Sequence, residues 1–199
     1  MHNKLPVYKA TIQDEETGMY CISLVDDPAV EKDWLYFNAD KKPLVFAVQD
    51  EEKRIIRGLI MEADKLIYRR DADGFEYYIT FDADTIRQMA QKYLKDGFQN
   101  NVDTMHDDNL VDQVELVQWF ISDKEHGVNP EGFEDVNDHS LFAEFHVLND
   151  EIWEQVKDGT FKGFSLAGFF TPVKAEMNKQ RVLDDIQGLL SKIEHKLRK

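Results

Sequence analysis

Lys162-Gly163-Phe164-Ser165-Leu166-Ala167-Gly168-Phe169-Phe170 sets one serine between two glycines in an otherwise apolar run. The run is short, rich in aromatic residues and stopped by Thr171-Pro172, which reads as a strand. Just before it, Asn149 or Asp150 caps a short helix carrying Ile152, Trp153 and Val156, and Gly159 closes that helix. The same β character extends upstream. Val7 to Ile12 and Met19 to Val25 read as strands joined by a polar hairpin turn over Gln13 to Gly18, and Asp26-Asp27-Pro28 stops the second.

Further strands are expected over Pro43 to Gln49, Arg54 to Met61, Leu66 to Arg69 and Phe75 to Phe81, with turn chemistry at Asp71-Ala72-Asp73-Gly74. Asp82 or Asp84 caps a helix to about Leu94, in which Ile86, Met89, Ala90 and Tyr93 recur at helical spacing before Gly97. Val111 to Ser122 and Ser140 to Leu148 return to β, the latter as a half-buried strand with Phe142, Glu144 and His146 alternating against Leu141, Ala143, Phe145 and Val147. Asp123 to Gly132 reads as a surface loop. From about Glu176, Val182, Leu183, Ile186, Leu189, Leu190, Ile193 and Leu197 mark an amphipathic helix with cations near its carboxyl end. The fold class is therefore α+β and β-dominated, with one β-rich domain over 1–174 and a helical tail over 175–199.

Composition excludes several functions. The 199 residues, 42% of them hydrophobic, suit one globular domain. A formal charge of −15, from 39 acidic and 24 basic residues, repels phosphate backbones and anionic lipid, so neither nucleic acid nor membrane is expected as a partner. One cysteine, Cys21, permits no intrachain disulfide, and no apolar stretch suits a signal peptide or a bilayer span. A soluble, cytoplasmic protein is the expectation. A His-Asp-Asp group at 106–108 lacks further ligands at metal spacing, so no metal and no other cofactor is expected.

Two residues suit nucleophilic chemistry. A serine hydroxyl becomes a nucleophile when a base takes its proton, and Val102-Asp103-Thr104-Met105-His106-Asp107 brings an imidazole beside a strand. Ser165 and His106 are the candidates, although a small strand residue and a surface imidazole are also natural in those places. His126, His139 and His146 suit solvated or packing roles, and His2 and His195 lie near the termini.

The segments Ile22 to Val30, Gly58 to Arg69, Asn100-Asn101-Val102 with His106, and Phe161 to Ser165 resemble, in that order, the XkdF-like branch of the phage prohead (capsid maturation) serine proteases. The resemblance spans about residues 5 to 172. It implies a mostly antiparallel β-barrel flanked by helices, similar to the herpesvirus assemblin proteases. It implies Ser165 as nucleophile and His106 as base and then acid, acting on scaffold, on major capsid protein precursors and on the protease itself, inside the prohead in the host cytoplasm. Such chains often carry an acidic residue two positions after the serine and another in the strand after the histidine, where Ala167 and Gln118 stand here. Gln118 is thus the third candidate, with Glu115 and Glu144 as alternatives. A catalytically silent assembly factor, whose tail helix binds scaffold or coat subunits, is the competing expectation, and under either reading that helix suits pairing with another copy of the chain.

Overall fold

The computed structural model describes residues 5–26, 47–50, 53–71 and 73–174. Strands β1 (Val7–Thr11), β2 (Gly18–Val25), β3 (Ala47–Asp50), β4 (Ile55–Met61), β5 (Ile67–Arg70) and β6 (Glu76–Thr80) precede helix α1 (Ala83–Lys95). Strands β7 (Val102–Thr104), β8 (Val114–Ile121) and β9 (Leu141–Val147) lead to helix α2 (Asp150–Lys157), and β10 (Gly163–Phe169) and β11 (Thr171–Lys174) follow. The β-dominated α+β class is as read from the sequence. The expected tail helix and residues 43–46 lie outside the described residues.

Both helices begin as their sequences dictate. Asp82 accepts the Thr85 amide at 2.9 Å, and Asn149 accepts the amides of Glu151 and Ile152, each at 3.1 Å. These caps satisfy donors that a first helical turn leaves free. Ile86, Met89, Ala90 and Tyr93 of α1 are buried, and α1 lies against β2. Ile152, Trp153 and Val156 of α2 join the same core.

The strands form three sheets, with orders β11-β1-β6-β5, β10-β2-β7 and β3-β4-β9-β8. Among the described residues no ring of hydrogen-bonded strands closes, where the resemblance implied a barrel. Two of the sheets are joined at a corner. β10 and β11 run consecutively against β2 and then β1, with Phe169 opposite Gly18 and Thr171 opposite Thr11. The chain therefore changes sheets between Phe169 and Thr171, after a bulge at Ala167/Gly168. At this crossing a Cβ on Gly168 would sit 2.6 Å from the Gly18 carbonyl oxygen, so the close approach requires glycine.

The corner also corrects the expected hairpin over Gln13 to Gly18. β1 and β2 do not pair with each other; they follow one another, and the polar stretch is an excursion between them. Asp14 Oδ1 accepts the Glu16 and Thr17 amides, while Thr17 Oγ1 accepts those of Gln13 and Asp14. Such local turn bonds form whether the flanking strands pair or continue, so turn chemistry alone does not distinguish the two. Pro172, read as a strand terminator, instead lies within β11, where an edge position tolerates a residue without an amide proton.

β9 is buried on both faces rather than half-buried. Leu141, Ala143, Phe145 and Val147 enter the main core. Phe142 packs in a second cluster with Leu59, Phe133 and Val136, and Glu144 pairs with Arg57. The reason is tertiary: the segment before β9 folds Phe133 and Val136 over a face that alternation alone would assign to solvent.

Candidate active site

The β10-β2-β7 sheet has a core face and a polar face. Ile22 and Leu24 of β2, Phe164 of β10 and Val102 of β7 are buried in the main core. Alternation sends the intervening residues to the other side. There Ser165 lies in register with Ser23, and Ser23 with Asp103, so three polar side chains form one row across three strands. Ala167 is in register with Cys21 beside that row.

His106 reaches this row through an unusual turn. β7 ends at Thr104, and the Met105 amide donates to the Leu24 carbonyl at 3.0 Å, tying the strand end to β2. Met105 and His106 then both adopt left-handed backbone, at φ 52° and 55°. That region is unfavourable for non-glycine residues, and such strain recurs where a side chain must be aimed. Here it folds the imidazole back over the sheet.

The two ring nitrogens contact two serines. His106 Nε2 is 2.9 Å from Ser165 Oγ, and Nδ1 is 2.8 Å from Ser23 Oγ. Ser165 and His106 are half-buried, whereas Ser23 is 0% exposed and Asp103 is 1% exposed. Ser165 and His106 are thus accessible while Ser23 and Asp103 are shielded from water. Asp103 Oδ2 accepts the Asp108 amide at 3.2 Å. Cys21 is buried nearby, and burial followed by the negative charge of Asp103 pushes its thiol up to about 12, so it stays neutral at physiological pH.

This arrangement matches the geometry that general-base activation of a hydroxyl requires. A lone pair on Nε2 can take the Ser165 proton, and a group at Nδ1 holds the ring in place. Ser165 and His106, the pair read from sequence, are brought together. Gln118 is not brought to them. It lies on β8 in register with Glu144, in another sheet, and lines a shallow cleft with Arg57, Trp119 and Pro130. Glu115 lies opposite His146 on the same strand pair, and Glu144 is bound to Arg57. The group at Nδ1 is Ser23 instead.

Neither Ser23 nor Asp103 stands out by residue pattern, although Ser23 lies in a segment that carries the resemblance and Asp103 lies between Val102 and His106. The available signal was one polar residue in the apolar run Ile22-Ser23-Leu24-Val25. Of the remaining histidines, His126 is exposed and pairs with Asp123 at 2.8 Å, His139 is exposed, and His146 is half-buried on β9. Among the described residues no group of three or more His, Cys, Asp or Glu side chains is placed to hold a metal ion. No described helix is long and apolar enough to cross a membrane.

No solved structure matches the chain significantly. Among curated proteins the chain is similar to the uncharacterized protein YqbD of Bacillus subtilis (strain 168), at 28% identity over 158 residues. That alignment covers 74% of this chain and 43% of the relative, so the chain spans less than half of the relative's length. A family model described as "Putative phage serine protease XkdF" matches residues 43–174, which include His106, Ser165 and the strands that carry them. With two thirds of its length under that match, the chain belongs to this family of phage serine proteases.

Proposed function

We propose that the chain is a serine endopeptidase of prohead maturation, with Ser165 as nucleophile and His106 as general base. The observation that carries this reading is the continuous hydrogen-bonded path from Ser165 Oγ through both nitrogens of His106 to Ser23. Ser165 Oγ attacks the scissile carbonyl carbon while His106 Nε2 takes its proton. The tetrahedral intermediate collapses as the imidazolium returns that proton to the departing amine, leaving an acyl ester on Ser165. Water, deprotonated by His106, then hydrolyses the ester and regenerates the hydroxyl.

Scaffold, major capsid protein precursors and the protease itself are the proposed substrates, cleaved within the prohead in the host cytoplasm. The family match supports this reading, and so does the residue pattern shared with prohead proteases. A relation to the assemblin fold belongs to the same proposal, supported by a mostly antiparallel β array flanked by two helices. The test is Ser165→Ala. Co-expressed with scaffold it should lose processing by a factor on the order of 10⁴ or more while unfolding normally, and a fluorophosphonate should label Ser165 only in the native protein. Unaltered processing by the mutant would reject the enzyme and favour a silent assembly role.

A further inference from the structure

A serine hydroxyl both donates and accepts, so the Ser23–His106 contact does not by itself decide which ring nitrogen carries the proton. If Ser23 donates to Nδ1, the neutral ring is protonated on Nε2 and is useless as a base toward Ser165. When Ser23 accepts instead, the proton sits on Nδ1 and Nε2 offers its lone pair to Ser165. Whatever receives the proton of Ser23 settles the choice.

Asp103 is beside Ser23 in the β2–β7 ladder, on the same face of the sheet. In the structure Asp103 Oδ1 and the Ser23 hydroxyl stand side by side without a hydrogen bond between them, and because neighbouring strands lie only about 4.8 Å apart a small side-chain rotation closes the gap. Oδ2 of Asp103 is taken by the Asp108 amide, whereas Oδ1 is buried with no hydrogen-bond partner. A buried acceptor without a donor is costly, and an ionised carboxylate can only accept. The other donor on this face, the Cys21 thiol, is a weak one.

We infer that Asp103 is a positioning residue whose Oδ1, after a small side-chain rotation, accepts a hydrogen bond from the Ser23 hydroxyl, so that Ser23 accepts from His106 Nδ1–H and Nε2 faces Ser165 as a base. This rests on the reading of Ser165 as nucleophile, and it extends the path by one member, to Asp103–Ser23–His106–Ser165. It also explains how a serine can occupy a place that an acceptor-only group would fill without ambiguity.

The test is Asp103→Asn, an isosteric change with a defined polarity. The Asp108 amide retains the side-chain oxygen, so the new amide nitrogen faces Ser23 and donates to it. Ser23 then donates to Nδ1, and the tautomer inverts. Imidazole ¹⁵N spectra at about pH 8, above the usual imidazole range, should show His106 protonated on Nδ1 in the native protein and on Nε2 in the variant. The signal is assigned by difference against His106→Asn. Fluorophosphonate labelling of Ser165 should slow at least tenfold, and Asp103→Asn should add nothing further in a Ser23→Ala background. An unchanged tautomer in the variant overturns the inference. If the variant does not fold, the native spectrum decides: Nδ1–H protected from exchange supports it, and Nε2–H overturns it. Native protein that the probe leaves unlabelled while the tautomer still switches would sink the nucleophile reading and leave the role of Asp103 standing.

Discussion

Ser23 is a buried hydroxyl placed to act through the proposed base, His106, rather than on a substrate. In the proposed mechanism the imidazolium forms as Ser165 attacks, and a hydrogen bond to a charged group is worth about 1.5–3 kcal/mol. Ser23→Ala should therefore lower kcat roughly 10- to 100-fold with little change in KM, since Ser23 is shielded from substrate. Steady-state kinetics on a peptide substrate checks the split. A loss confined to KM would place Ser23 outside the chemistry. His106→Asn is the matching control, because asparagine tolerates the left-handed backbone of that turn and removes only the base. The strain at Met105 and His106 is invisible to residue patterns, which explains why the histidine could be picked out of the sequence but its partner at Nδ1 could not.

At the scale of elements, the sheet containing β9 depends on one nearly buried ion pair. Glu144 is 5% exposed and bound by Arg57 of β4, while a hydrophobic cluster covers the adjacent part of the strand. Arg57→Ala would leave that carboxylate without its partner in a poorly solvated place, which typically costs about 3–5 kcal/mol. Urea unfolding should show a loss near 3 kcal/mol, since part of the Arg57 side chain reaches water; a loss below about 1 kcal/mol would mean that Glu144 is solvated. The caps Asp82 and Asn149, the helical spacing of α1 and the Asp71–Gly74 turn were legible because each is a bond or a period within a few residues. The hairpin misreading over Gln13 to Gly18 has the opposite origin. Its turn bonds are local, but whether β1 pairs with β2 is decided by β10 and β11, more than 140 positions away.

Over the whole molecule, acid should destabilise the fold. Burial alone would raise the Asp82 carboxyl, but its bonds to Lys9 and to Thr85 outweigh that and hold it below the ordinary 3.8. Burial likewise opposes the amides of His139 and Lys124 at Asp138, and again the amides prevail. Carboxyls depressed in the folded state add stability that is complete above the unfolded value and is lost as pH falls through the folded one. The urea midpoint should thus hold near pH 5 to 6 and fall below about pH 4, less steeply at high salt because these groups are partly exposed. A midpoint independent of pH down to about 3 would contradict this. The β-rich character, the two helices, and the candidacy of Ser165 and His106 were determined by the sequence alone, because alternation, caps and residue type act locally. The three-sheet division, the second burial face of β9 and the row Ser165–Ser23–Asp103 were decided only by tertiary structure. Contacts spanning 59 and 83 positions depend on strand register and on one strained turn, and no local pattern encodes either.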